Sequence, residues 1–380
     1  MEQFTNLTRY ERVSLGLPFN LADGHARQYQ DQGQIEISDR LPELYRASES
    51  VALPALEREF QRIFFALAGQ DTAMTHERTL LSPSASMSTD LIATCAGYHG
   101  WSVALVQPCF DNLAAIMARR RVAMVPVREE DLTATTLHLP PADALLLTLP
   151  NNPTGFLLDP SQFRRLALHC RDTGTVLILD WTFRFFSTLS TWDQYAVLEE
   201  CGVSYVCVED TGKTWPSVDL KCSILATSAD IYLKLLDVHN DVLLNVSPFV
   251  LMLLVEYLRD SGDRGLDATV RQPVLINRNR LRATLRGTIL APVTGRAPVS
   301  VEWVRINSPV LQSSDVVTWA ADSGIGILPG DHFFWFDPDP GRKFVRFALA
   351  RDPANFAQAC ERLEGVLSLI QNSEEGPVVA

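Results

Sequence analysis

The chain has 380 residues, 47% of them apolar and 21% charged, with a formal net charge of −12. This length exceeds one ordinary core and suits two α/β domains of roughly 100–250 residues each, and this balance excludes a disordered or membrane-embedded chain. The acidic surplus excludes a nucleic-acid backbone as the main partner, since that needs a basic face, but leaves room for a local pocket for one small anion.

The N-terminal segment MEQFTNLTRYERVSLGLPFN carries charges where a signal peptide needs an apolar run. Within it, Thr8-Arg-Tyr-Glu11 fits the capping box S/T-x-x-E and predicts a helix start at Thr8. From about residue 80 to 230, β-branched runs alternate with amphipathic segments. Strands are expected at 103–107, 123–127, 144–150, 175–180, 204–209 and 222–227, with helices at 88–99, 111–121 and 160–174 between them. Such alternation predicts a mainly parallel sheet covered by helices, with the chemistry in loops beyond the carboxyl ends of the strands.

A long helix is expected over 245–285, bridging two domains. The longest nearly apolar stretch, 241–258, contains Asp241, Asn245, Ser247, Pro248 and Glu256, and reads as a buried helix, not a membrane span. Strands at 301–306 and 343–349 and a helix at 352–371 form a second α/β unit with the first forty-odd residues. The polar tail 372–380 is expected to fray. The seven cysteines include no CxxC pair and sit mostly in apolar runs, which suits small core residues in a reducing cytoplasm. The seven histidines show no metal-ligand spacing.

Four loop elements carry chemistry. In 82-SPSASMSTD-90, Ser84, Ser86 and the backbone around Ala85 could cradle a phosphate at a helix N-terminus, although serines cap helices everywhere. The second, 150-PNNPTG-155, follows a strand and reads by itself as a turn. Asp180 ends an apolar strand, where a carboxylate could hold a protonated pyridine nitrogen. In 209-EDTGKTWPSVDLK-221, Lys213 could form an imine if its surroundings lower its pKa, and Lys221 could face a phosphate.

In this order the four elements resemble the fold-type I pyridoxal phosphate (PLP) enzymes, the aspartate-aminotransferase superfamily. The resemblance covers nearly the whole chain, including 328-LPGDHFF-334 and 343-KFVRFALA-350. It implies an α/β fold with a mainly parallel seven-stranded sheet in a large domain and a smaller α/β domain. Residues 1–45 would form a lid and part of the small domain, 46–265 the PLP-binding domain, and 266–380 the small domain. Lys213 would be the Schiff-base lysine, and Asp180 would pair with the pyridinium. Asn152 and Thr182 would serve the ring hydroxyl and Phe110 the ring face. Ser84, Ala85, Ser86 and Lys221 would hold the phosphate. Arg346 would grip the substrate α-carboxylate, a task that a planar guanidinium suits. A homodimer with its active site at the interface is implied as well.

There are departures from the family pattern. Phe183 replaces a usual Tyr, Lys221 a usual Arg, and Asp210 a usual Ser. A carboxylate facing the phosphate would be repulsive, so Asp210 is expected to face elsewhere, toward a cationic substrate group. Ordinary transamination is thereby put in doubt.

The strings 20-NLADGHARQ-28, 107-QPCFDN-112, 150-PNNPTG-155 and 208-VEDTGKTWPSVDLK-221 are similar to a narrower group, the PLP- and O2-dependent arginine oxidases and hydroxylases of antibiotic biosynthesis. That likeness implies conversion of L-arginine to 2-oxoarginine and its 4-hydroxy derivative, or to a dehydroarginine, with PLP as the only cofactor and O2 as co-substrate. Thr8 and Glu11 would lie on a segment closing over the substrate. Glu11 and Asp210 would face the guanidinium, and Asp23 and His25 the reacting carbons. Alone, His25 reads as an ordinary loop residue. Beside this match it becomes a candidate base or water-positioning group, since imidazole titrates near neutrality. The rival readings are an aminotransferase for arginine or another amino acid, a PLP lyase or decarboxylase, and a PLP-binding regulator.

Overall fold

The computed structural model describes residues 6–189 and 191–374, with side chains to 368. The tail beyond 374 lies outside the described residues, as does the segment before Asn6. Seven strands form the main sheet: β1 (Thr79–Ser82), β2 (Ser102–Gln107), β3 (Ala123–Arg128), β4 (Ala144–Thr148), β5 (Val176–Asp180), β6 (Tyr205–Asp210) and β7 (Ser223–Thr227). Their order across the sheet is β1-β7-β6-β5-β4-β2-β3. β7 runs against both of its neighbours, and the pairings from β6 to β3 are all parallel. β4 and β6 are buried along their whole length, as strands covered on both faces are, and the burial extends to the polar ends Thr148, Glu209 and Asp210.

The register sets the site. Thr148 pairs with Asp180, and Asp180 with Val208. The loops carrying Phe110, Asn152, Thr182 and Lys213 therefore leave one edge of the sheet together. A second, antiparallel sheet has the order Leu328–Pro329, Phe344–Ala348, Val301–Ile306 and Leu290–Pro292. It holds Arg346 on an inner strand, opposite Trp303 and Leu328.

Two expectations are corrected here. The helix expected over 245–285 is two helices, Pro248–Arg264 and Gln272–Thr284, joined through a π turn at Asp267–Arg271. Gly265 at φ 88° breaks the first, and Pro273 in the first turn of the second cannot continue an earlier hydrogen-bond ladder. The N-terminal helix α1 (Leu7–Ser14) starts before Thr8: Asn6 caps it, its Oδ1 accepting from Arg9 N–H at 2.9 Å. Thr8 is thus a first-turn residue, free of the capping task.

α1 is seated closely. Leu7 N–H donates to Asp111 Oδ2 at 2.8 Å. A Cβ at Gly326 would come within 2.3 Å of Ser14 Oγ, so only glycine admits the helix there. Phe19–Asn20 pairs in parallel with Ile325–Gly326 and leads the chain into DGHAR. Among the described residues no helix is long and apolar enough to cross a membrane.

Candidate active site

The helix α2 (Ala85–Tyr98) begins at the carboxyl end of β1. Ser84 caps it, its Oγ accepting from Met87 N–H at 3.2 Å. Buried hydroxyls tie this end to the sheet: Ser88 Oγ lies 2.8 Å from Ser82 Oγ and 2.9 Å from Ser223 Oγ, and Ser223 donates to Glu209 O at 2.7 Å. The small residues here serve close packing and leave the first N–H groups of the helix near the sheet edge.

The turn after β4 is braced from beneath by Glu129. This buried carboxylate accepts from Asn151 Nδ2 at 2.6 Å and from the Thr154 hydroxyl, and it faces Arg296 at 3.3 Å. Asn151 also donates to Pro108 O at 2.7 Å, which links this loop to the one bearing Phe110. Asn152 is buried beside it, and its Oδ1 has no partner among the described residues. At the end of β5, Asp180 Oδ1 accepts from Thr182 N–H at 2.9 Å and from the Thr182 hydroxyl. Burial raises the Asp180 carboxyl, with the Thr182 bonds and the Lys213 charge opposing.

Lys213 follows β6 through Gly212. A Cβ at Gly212 would meet Lys221 Cδ at 2.7 Å, so glycine lets the two lysines approach. Burial lowers the Lys213 pKa, against the raising pull of Glu11, Asp23 and Asp210. Its Nζ lies 3.4 Å from both ring nitrogens of His25, and Lys221 Nζ lies 3.1 Å from His25 Nε2. Asp23 Oδ1 is 2.5 Å from His25 Nδ1, which assigns the ring proton to Nδ1 and leaves Nε2 as an acceptor. Burial lowers the His25 pKa and Lys213 adds to the effect, with Asp23 opposing. For Asp23, burial pushes upward but the His25 hydrogen bond and charge prevail, holding it well below the carboxylate range. The DGHAR backbone is gripped by buried Arg351, which donates to the carbonyls of Asn20, Asp23 and His25.

Arg346 is fully buried and donates through Nη2 to Ala22 O, while its Nε has no partner among the described residues. Burial lowers its pKa to about 10. Glu11 on α1 faces it, and burial raises the Glu11 carboxyl.

Asp210 departs from expectation. Its Oδ1 accepts from Ala85 N–H at 3.3 Å and its Oδ2 from Gly212 N–H at 2.9 Å, so it faces the N-terminus of α2 instead of turning away. Burial pushes its carboxyl up to about 6, with Lys213 and Lys221 opposing. The Ala85 N–H at the helix N-terminus, the Gly212 N–H and two ammonium groups offset the charge of the carboxylate in this position.

Thr8, Glu11, His25, Ser84, Ala85, Ser86, Phe110, Asn152, Asp180, Thr182, Asp210, Lys213, Lys221 and Arg346 line one cavity of about 240 Å³. Asp23 stands behind it, holding His25. Residues 37–363 match the family described as aminotransferase class I and II. The chain belongs to this family.

This aminotransferase-family chain is similar to the structure of MppP soaked with the product 2-ketoarginine, with 36% identity and a TM-score of 0.87 over 92% of this chain and 99% of that one. It shares its fold with aspartate aminotransferase from Thermus thermophilus with maleate, at 16% identity and a TM-score of 0.78 over 96% and 97% of the two chains. It is also 26% identical over 271 residues to LL-diaminopimelate aminotransferase of Chlamydia pneumoniae, covering 68% of this chain. That match spans 65% of the relative's own length, a little under two thirds.

The family is PLP-dependent, and the donor set fits that group. A buried amine with a lowered pKa, a carboxylate at a strand end, the unpartnered oxygen of Asn152 and a helix N-terminus beside Lys221 all face one cavity. Several contributors escaped the sequence reading. Gly24, Thr89, Asn112 and Thr148 also line the cavity. Glu129 and Arg351 act from behind it, and Arg27 and Asp219 from beside it. Gly24, Arg27, Thr89, Asn112 and Asp219 lie within strings that the sequence had already marked, whereas Glu129, Thr148 and Arg351 had no such signal.

Proposed function

We propose that this aminotransferase-family enzyme is a PLP-dependent, O2-consuming oxidase and hydroxylase of L-arginine. The observation that carries the reading is a carboxylate-held histidine 3.4 Å from Lys213 Nζ, in a chain 36% identical to MppP, whose structure was soaked with the product 2-ketoarginine. Bound at Lys213 and Asp180, PLP supplies an electron sink for the α-carbon of an amino acid.

The rest falls to this chain's own residues. Arg346 takes the substrate carboxylate, and Glu11 takes the guanidinium. Asp210, placed at the helix N-terminus, is not assigned to the guanidinium. Lys213, with its lowered pKa, serves as base toward the α-proton. α1, carrying Thr8 and Glu11, shields the cavity from bulk water. Neutral His25, with its proton held on Nδ1 by Asp23, presents Nε2 as an acceptor for a water molecule. In the simple oxidation, arginine, O2 and water give 2-oxoarginine, ammonium and hydrogen peroxide: the two electrons of the α-amine oxidation pass to O2, and water supplies the keto oxygen. For the further products a second O2 takes two more electrons and the hydrogens of the β- and γ-carbons, leaving as hydrogen peroxide. Water addition at the γ-carbon of the resulting dehydro compound gives the 4-hydroxy product, and its omission leaves the dehydroarginine.

A second reading, transamination of arginine or another amino acid, draws support from the aminotransferases among the relatives. One experiment separates the two. The PLP-loaded protein is mixed with arginine while oxygen and product masses are followed. Oxygen uptake without an added 2-oxo acid, with masses of 2-oxoarginine and its hydroxy or dehydro derivative, is expected. Turnover that appears only with a 2-oxo acid would establish transamination instead. A homodimer in a reducing cytoplasm accords with the highly exposed Leu244 and Tyr98 and with seven buried, free cysteines.

A further inference from the structure

One carboxylate outside the expected set faces the site from the loop between Lys213 and Lys221. Residues 217–220 close a tight turn, in which Leu220 N–H donates to Ser217 O at 2.9 Å and Ser217 Oγ to Leu220 O at 2.6 Å. Both central residues are left-handed, Val218 at φ 52° and Asp219 at φ 64°, as a type I′ turn requires. Asn-Gly is the usual sequence there, and a β-branched residue is an outlier. Such a conformation persists only where the surroundings over-determine it.

The contacts of Asp219 supply that constraint. Its Oδ2 accepts from Arg27 Nη2 at 3.1 Å, and its Oδ1 lies 3.8 Å from His25 Nε2 and 3.9 Å from Lys221 Nζ. Arg27 Nε donates in turn to Asp23 Oδ2 at 2.9 Å, and Asp23 Oδ1 meets His25 Nδ1 at 2.5 Å. The imidazole therefore has a carboxylate toward each ring nitrogen, and one guanidinium ties the two carboxylates together. The Arg27–Asp219 contact joins segments 192 residues apart.

We propose that Asp219 is a positioning residue for His25: through Arg27 it fixes the DGHAR segment against the catalytic-lysine loop and sets the direction in which the imidazole faces. It touches no reacting atom. The catalytic consequence rests on the role given to His25 above, whereas the structural coupling does not.

The charged groups around His25 are Asp23 and Arg27 from its own segment, Lys213, Asp219 and Lys221 from the facing loop, and Arg351, which donates to its carbonyl. Asp219 is the anion on the Nε2 side, where Lys221 stands, while Lys213 lies equally far from both ring nitrogens. Its removal leaves that nitrogen facing the Lys221 ammonium, which PLP binding at Lys213 does not remove, and the ring then protonates less readily. Asparagine tolerates the left-handed region at least as well as aspartate, so Asp219→Asn removes the charge and keeps the turn.

The test uses PLP-loaded protein with isotope-labelled histidine, comparing wild type, Asp219→Asn, Arg27→Gln and the double variant by NMR, with His25→Gln assigning the signal. The His25 midpoint is expected to fall by about half a pH unit or more in Asp219→Asn. The ring ¹⁵N shifts, which report the tautomer whether or not the ring titrates, are expected to move with it. The double variant should change by less than the sum of the single ones, as members of one network do. Unchanged ¹⁵N shifts in a folded Asp219→Asn protein, or strictly additive changes, would overturn the proposal. If arginine elicits no oxygen uptake while the NMR coupling holds, the functional reading fails and the positioning role stands. If uptake proceeds and the coupling is missing, the reverse follows.

Discussion

Glu11 Oε1 lies 3.8 Å from Arg346 Nη2, so the two opposite charges that an amino acid with a cationic tail needs from its site face one cavity. They come from unrelated parts of the chain, one from an N-terminal helix and one from an inner strand of the small sheet. A free substrate can replace each by its own complementary group. If Glu11 receives the guanidinium, Glu11→Gln removes a charge-assisted hydrogen bond and raises the KM for arginine about tenfold or more. The KM for a neutral analogue such as norleucine should stay within about twofold, since it never used that carboxylate. Steady-state kinetics with both substrates checks this, and equal losses would place Glu11 away from the distal end.

His25 is held neutral near pH 7 by burial and by the Lys213 charge. Its folded pKa lies below the ordinary value of 6.5, so it protonates only as the pH falls further, and the water-directing role should fade in that acidic window. His25→Ala is expected to shift product from 4-hydroxy-2-oxoarginine toward unhydroxylated forms, and to abolish the pH dependence of that ratio. Mass spectra across a pH series decide it, and an unchanged ratio would remove His25 from water addition.

Asp210 carries a different pH signature. Burial raises its carboxyl from an ordinary 3.8 to about 6. A group raised on folding contributes stability that is fully present below the unfolded pKa and is lost as the pH rises through the folded one. Wild type should therefore lose ground to Asp210→Asn between about pH 4 and pH 7. The difference in Tm should move by about 2 °C or more in the variant's favour across that window. A difference in Tm that is flat with pH would mean that Asp210 stays ionised in the folded chain throughout.

Glu129 illustrates what the sequence hides. It opens an acidic triplet, 129-EED-131, that reads as solvated surface, yet it is 3% exposed and bonded to Asn151 and Thr154. Truncating it leaves buried donors facing a cavity, so Glu129→Ala should cost about 2–4 kcal/mol of stability, and Glu129→Gln less because an acceptor remains. Denaturant midpoints measure both. PLP affinity should weaken in parallel, because Asn152 sits on the loop that Glu129 braces.

The strands of the main sheet were legible because apolar, β-branched runs between amphipathic helices leave few alternatives, and the strand ends then pointed to Asn152, Asp180 and Lys213. The four-residue β1 was missed, being a short strand at the sheet edge. DGHAR was legible only through its likeness to the arginine oxidases and hydroxylases; the short contact between Asp23 and His25 gave no signal of its own. Asp219 was not, because its partners lie far away in sequence and its own turn looks unremarkable. Nor was the orientation of Asp210, which depends on the first N–H of a helix begun more than a hundred residues earlier.

The Val218–Asp219 turn makes the last prediction. Val218 is 77% exposed and sits at φ 52°, so its side chain contributes little burial while its branched Cβ opposes the left-handed backbone. Asparagine adopts that region readily, so Val218→Asn should stabilise the protein by about 1 kcal/mol, read as a higher denaturant midpoint. The Arg27–Asp219 contact uses only the neighbouring side chain, so arginine turnover should be preserved. A lower midpoint would mean that Val218 is covered by a partner chain in solution, since only lost burial could outweigh the relief of backbone strain.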